Sequence, residues 1–185
     1  MPLSDSIVTL GVTLDSNLSF RHDVSKVCRS AHFHLRALRH IRAALTDDMA
    51  KTVAVSLIHS RIDCANSLIH GSINVRRLRC VQNSAARVVL RDTPHQSTIY
   101  VALLSELHWL PVQSRITFKI ACPPYKVLTT GQPYYPRSLL HYYTPHRTLR
   151  SVNQRLLEQP RVSTEFPKRS FSYLSPKTWN SLPSI

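Results

Sequence analysis

Arginine, histidine, cysteine and a few carboxylates are the residue types here that could do chemistry, and their spacing sorts them. Arg76, Arg77, Arg79, Arg87 and Arg91 crowd one short stretch. A guanidinium offers planar donors to phosphate or carboxylate oxygens, so clustered arginines point to contact with a polyanion. Asp47-Asp48 is an adjacent acid pair and invites a metal-binding reading. Neighbouring side chains on a helix diverge by roughly 100°, so the two do not converge on one ion. Thr46 reads instead as an N-cap, with both acids in a first turn where the helix dipole favours negative charge. The histidines, among them His22, His32, His34, His40, His59, His70 and His95, stand at no motif spacing from a nucleophile or acid. A Ser-His-Asp assembly is spatial, and spacing alone does not decide it. The His32-x-His34 pair reads as surface decoration. Cys28, Cys64, Cys80 and Cys122 are dispersed without a C-x-x-C pair, so they read as free buried thiols in a reducing compartment. With three glycines there is no Gly-rich phosphate loop. No catalytic residue, metal site or cofactor is expected.

The whole chain is cationic. Lys plus Arg number 24 against 10 Asp plus Glu, a formal net charge of +14. Residues 131–185 hold 8 of those bases and only 2 acids, so the C-terminal stretch is the denser cationic part. Charge of this kind sits on the surface and attracts polyanions, nucleic acid first and anionic membrane second. A hydrophobic fraction of 43% is enough for a core, which excludes global disorder. No apolar run approaches the length of a membrane span, and the first residues lack the basic and apolar regions of a signal peptide. The expected location is intracellular, nuclear or cytoplasmic, and not secreted.

The elements that must position these groups follow from periodicity. Ile7 to Leu14 read as a short strand around Gly11. Over residues 21–45, Val24, Val27, Ala31, Leu35, Leu38 and Leu45 form one apolar stripe, with Lys26, Arg29 and Arg36 opposite. From Thr46 a helix runs to about 68 and buries Met49, Val53 and Leu57 with Ala50, Ala54 and Ile58. Gly71 ends it. Asn74 is expected to cap a helix over 75–91, with Leu78, Val81, Ala85, Val89 and Leu90 inward, stopped by Asp92-Thr-Pro94. Ser97 opens another over 98–108, burying Ile99, Leu103, Leu104 and Leu107. Pro111 starts one to about 121, which Pro123-Pro124 must break, since each proline costs ~3 kcal/mol or more inside a helix. From Gly131 onward prolines, aromatics and arginines interleave, and an irregular tail is expected. The fold class is thus mainly α: a small helical bundle after one short N-terminal strand, with a Pro-rich tail. The expected segments are 1–20, 21–93, 94–130 and 131–185.

The order of motifs resembles the C-terminal part of reverse transcriptases from non-LTR retrotransposons, most of all the jockey and chicken-repeat group. The matching stretches are Leu10-Gly-Val-Thr-Leu-Asp15, Leu18-Ser-Phe20 with His22, Arg61-Ile-Asp63 with Asn66-Ser-Leu68, and Val81-Gln-Asn-Ser-Ala-Ala-Arg87. They continue with Leu107-His-Trp-Leu-Pro-Val112, Arg115-Ile116, Phe118-Lys-Ile120, Arg147-Thr-Leu-Arg-Ser151, Phe171-Ser172 and Trp179-Asn-Ser-Leu-Pro183. Any one would be weak, whereas their shared order spans nearly the whole chain. Two departures stand out. Cys64-Ala65 replace the family's usual Tyr-Cys, and Pro123-Pro124 interrupt a stretch the family continues as helix.

The resemblance implies a palm-end strand at 7–14 beside the primer grip, a helical thumb at 21–91, and a C-terminal region beyond. A thumb of this kind holds template and primer by their backbones. Lys26, Arg29, Arg36, Arg76, Arg77, Arg79, Arg87 and Arg91 are the implied contacts to RNA or DNA, salt-sensitive and sequence-independent. The palm aspartates that would hold two metal ions lie, in the family, upstream of these motifs. The chain is therefore expected to be a non-catalytic fragment, with palm and fingers as its missing partners. Two alternatives stay open: a translated remnant without function, or a repurposed protein-interaction module using the aromatic tail.

Overall fold

The computed structural model describes residues 5–91, 100–145 and 155–182. They are mostly helical, with a small antiparallel sheet at the N-terminal end. The chain divides into two units, residues 1–115 and 116–185. Arg147, Arg150 and Pro183 of the quoted motifs, the Ser97 cap, Ile99 and the Asp92-Thr-Pro94 stop lie outside the described residues.

The stretch read as one strand is a hairpin. β1 (Ser6–Thr9) pairs antiparallel with β2 (Val12–Asp15), Thr9 opposite Val12. The turn residues Leu10 and Gly11 both have positive φ, 50° and 81°. That is the type I′ geometry whose twist matches two antiparallel strands, so the strand finds its partner within the motif itself. Asp15 then organises the exit: its carboxylate accepts from Phe20 N at 3.1 Å and from Ser19 Oγ at 2.5 Å. The Ser19 hydroxyl holds the Asp15 carboxyl below its usual pKa, burial opposing and the Phe20 amide adding to the effect.

α1 (Arg21–Ile41) buries Val24, Cys28, Ala31, Leu35 and Leu38, the expected stripe with Cys28 in place of the half-buried Val27. A 3-10 turn over Arg42–Ala44 follows. Thr46 caps α2 (Asp47–Ala54) as expected, its hydroxyl accepting from Met49 N at 3.3 Å. The inward face of this segment differs from expectation. Ala50, Ala54 and Ile58 are buried, whereas Met49 and Leu57 are exposed. For Leu57 the cause is a π-helical turn over Val55–His59, leading into the short α3 (Ser60–Asp63). The extra residue per turn rotates Leu57 outward and carries His59 into the core, where it is 2% exposed. The alanines let α2 pack close against α1 and α4.

α4 (Val75–Leu90) buries Val75, Leu78, Val81, Gln82, Ala85, Ala86, Val88 and Val89. Asn74 precedes it without capping it through its side chain. The amides of Val75, Arg76 and Arg77 already bond the carbonyls of Ser72, Ile73 and Asn74 in tight turns, so no side-chain acceptor is required. The Asn74 amide donates instead to Ser19 O at 3.0 Å and ties α4 to the hairpin exit. α5 (Tyr100–Glu106) brings in Leu103 and Leu104 and leads to the buried Leu107 and Trp109.

α6 (Val112–Thr130) begins in the first unit and runs on through Pro123 and Pro124, where a break was expected. Ile116, Ile120, Pro124 and Val127 are buried at steps of four, four and three residues. Pro124 thus sits on the apolar stripe, and burial of that stripe outweighs the lost backbone donors. The second unit holds more helix than its composition implied. α7 (Tyr134–Ser138) and α8 (Phe171–Asn180) both form, α8 with Pro176 buried inside it. Its core joins Val127, Leu140 and Leu157 with Leu128, Phe171 and Trp179. Tyr142 bridges Leu157 in an antiparallel pairing. The Asn180 amide bonds both backbone groups of Leu157, N and O each at 2.9 Å, and Trp179 Nε1 donates to Arg155 O at 2.9 Å. The Trp179-Asn180 pair is therefore a clamp on an extended segment.

Candidate nucleic-acid interface

α1 and α4 pack side by side and run in the same direction. Near their starts Arg77 Nη1 donates to Ser25 Oγ at 2.8 Å. Near their ends Arg42 Nε donates to Val88 O at 3.1 Å and Val89 O at 3.0 Å. Two parallel helices place their negative carbonyl ends together, an arrangement that favours a cation there. Arg42 supplies it. Although 5% exposed, it also donates through Nη2 to Val89 O at 2.5 Å, through Nη1 to Leu45 O at 2.9 Å, and pairs with Asp47. The acid pair at 47–48 therefore serves helix capping and this ion pair.

The outward faces carry the charge. Lys26, Arg29, Arg36, Arg76, Arg77, Arg79, Arg87 and Arg91 are all exposed. Arg21 and Arg39 of α1 join them, a pair that the sequence reading missed although both fall on the flank of Arg29 and Arg36. Arg77 reaches toward α1 through Ser25, one turn from Arg29. Arg76 and Arg79 lie on the other flank of α4, with the Arg79 guanidinium 5.5 Å from the Tyr100 ring centre. Arg91, in a left-handed conformation with φ 55°, closes α4, its Nη2 3.4 Å from Leu45 O. Of the eight expected residues, the structure links Arg77 to α1 and Arg91 to its end, sets Arg76 and Arg79 toward α5, and leaves Lys26, Arg29, Arg36 and Arg87 exposed on their helices. α4 contains no acid, and the single acid of α1, Asp23, accepts from Thr13 N at 2.9 Å.

Polar groups inside the unit hold this face in place. Gln82, fully buried, accepts from Val112 N at 3.0 Å and donates to Leu110 O at 2.9 Å. Asp63 takes a bidentate pair from Arg115, Nε at 2.9 Å with Nη2 on the other oxygen, and accepts from Asn66 at 3.2 Å. His59 meets Trp109 edge-on at 4.2 Å between ring centres. Burial, aided by the Arg115 charge and opposed by Asp63, lowers the His59 pKa from 6.5 to about 4. Spacing gave no sign of these pairs, because residues 52 positions apart meet only through the fold.

Cys28 is buried, and burial raises its thiol pKa; Cys64, Cys80 and Cys122 are exposed, contrary to expectation. Among the described residues, no three of His, Cys, Asp or Glu gather as metal ligands, and no helix is long and apolar enough to cross a membrane. What the α1–α4 face can do chemically is hold phosphates by charge and by guanidinium donors. Compared with known proteins, the chain matches no protein-family model, no curated protein and no solved structure.

Proposed function

We propose that this chain is the non-catalytic, thumb-like C-terminal part of a non-LTR retrotransposon reverse transcriptase, and that α1 and α4 hold an RNA or DNA duplex by its phosphates. The family reading rests on the order of the quoted motifs. The observation that supports the binding role is the α1–α4 face: parallel helices whose exposed Lys and Arg are opposed by one carboxylate, itself engaged by Thr13. A phosphate backbone is the polyanion that matches an extended cationic face without demanding particular side chains. An interfacial membrane helix would pair its cations with an apolar face laid into lipid. Here the apolar stripes of α1 and α4 are buried in the protein core. In the parent protein the palm and fingers would supply the metal-binding carboxylates and the chemistry.

The test is binding of the full chain to a blunt RNA–DNA duplex, followed by fluorescence anisotropy across salt concentrations. With about four phosphates engaged at once, the log–log salt slope is about −3.6, a loss of roughly 150-fold between 50 and 200 mM salt. Exchanging Arg29, Arg36, Arg77 and Arg87 for Gln together weakens binding and makes that slope shallower. A slope unchanged by the fourfold exchange, or affinity indifferent to salt in the parent chain, would overturn the proposal.

A further inference from the structure

A hollow of about 490 Å³ opens beside the start of α4, within the size range of small-ligand sites. Its walls include Ser72 and Ile73 from the turn before α4, Arg76 and Arg79 from its first two turns, Tyr100 from α5 and Gln113 from α6. Three chemistries meet in this small space. Tyr100, 36% exposed, offers an aromatic ring whose one face lies under the Arg79 guanidinium, 5.5 Å from the ring centre, which leaves the other face for a base. Ile73, 72% exposed, supplies an apolar rim. Arg76 and Arg79 supply two cations, and among the described residues no carboxylate lines the hollow.

We infer that this hollow is a subsite for one unpaired nucleotide, its base stacking at Tyr100 against the Ile73 rim and its phosphate held by Arg76 and Arg79. The inference rests on the phosphate-holding role of α4 and sharpens it: the duplex lies along the helices, and a single-stranded end enters the hollow. Base–aromatic stacking tolerates any base, since every base has a π face, so the subsite suits a sequence-independent binder. An acidic peptide would satisfy the two arginines and leave the aromatic plane and apolar rim without a partner. A nucleotide matches all three.

The experiment compares the full chain on a blunt duplex and on the same duplex with a short unpaired overhang, both followed by anisotropy. The parent chain is expected to prefer the overhang by about tenfold, the scale of one base–aromatic stack. Tyr100→Leu removes that preference and leaves blunt-duplex affinity unchanged, whereas Tyr100→Phe keeps both. Matching circular dichroism melts for the two variants separate loss of the stack from loss of the fold. A preference that survives Tyr100→Leu, or that Tyr100→Phe abolishes equally, overturns the subsite, as does its displacement by poly-glutamate as readily as by a single-stranded oligonucleotide. The two readings fail separately. Salt-sensitive duplex binding without an overhang preference sinks the subsite alone. Tyr100-dependent overhang binding with no affinity for blunt duplex sinks the duplex role alone.

Discussion

Replacing His59 by phenylalanine makes the stability of this protein less sensitive to acid, by an amount the structure sets. Neither ring nitrogen of His59 has a hydrogen-bond partner, and the side chain is buried against Trp109. Its pKa falls from 6.5 to about 4, chiefly through burial. The sign follows from proton counting. Below pH 6.5 the unfolded chain takes up a proton at this position, while the native chain stays neutral until about pH 4. Acid therefore favours the unfolded state across that window. The native advantage is complete above pH 6.5 and falls by about 3 kcal/mol on reaching pH 4. A phenyl ring at this position would keep an edge-on contact with Trp109 and has no proton to gain. Urea unfolding of parent and His59→Phe chains at a series of pH values between about 7.5 and 4 gives the difference directly. Carboxylates common to both chains cancel to first order. The expected difference is constant above about pH 7 and grows in favour of the variant by about 3 kcal/mol toward pH 4. A difference that stays flat over this range would refute the reasoning, since it would mean that His59 titrates alike in both states.

Arg42→Lys keeps the charge but not the fork that reaches Val88, Val89, Leu45 and Asp47 together; chemical denaturation should show a loss of about 1–3 kcal/mol, the range for leaving buried carbonyl acceptors without a donor. Asn180→Ala removes both bonds to Leu157. It should cost about 1–3 kcal/mol and raise amide exchange at Leu157 and Tyr143 while leaving α1 and α4 protected.

Part of this fold was legible because burial on a helix repeats every three or four residues. In α1 and α4 the apolar positions fall on one side and the cations on the other, so stripe and charged face could be read together. Periodicity stops being informative where local geometry departs from it. A π turn at Val55–His59 exchanges Leu57 for His59 in the core, and no residue type there announces it. The local cost of Pro123-Pro124 predicts a break, which burial along α6 overrides. The hairpin was missed because Leu10, almost wholly exposed, is not a residue that signals positive φ. α8 was hidden by its own Pro176 and aromatics, which read as tail. Within the candidate interface, individual cations were visible. The meeting of the helix ends was not, because it is made by Arg42, a residue indistinguishable in sequence from the exposed arginines around it.

Two kinds of residue carry the two halves of the functional reading, and they do different physical work. Asp15, Asp63, Asn66, Gln82, Trp109, Arg115 and Asn180 belong to the motif stretches that resemble the reverse transcriptases. Asp15 binds the Phe20 amide, Asp63 binds Arg115 and Asn66, Gln82 bridges to the Leu110–Val112 segment, and Asn180 clamps Leu157. Each of these bonds satisfies a specific partner, so the identity of the residue making it is tightly constrained by the fold. The exposed cations of α1 and α4 are mostly outside those motifs, Arg87 being the exception, because a phosphate is held equally well from several positions on a cationic face. Motif order therefore speaks for the scaffold and surface charge for the ligand. If duplex binding is salt-steep in the parent and falls with the arginines, while the scaffold stays intact, these cations are what hold the phosphates. Substituting Asp15, Asp63, Gln82 or Asn180, by contrast, should lower stability and leave the salt slope of duplex binding unchanged.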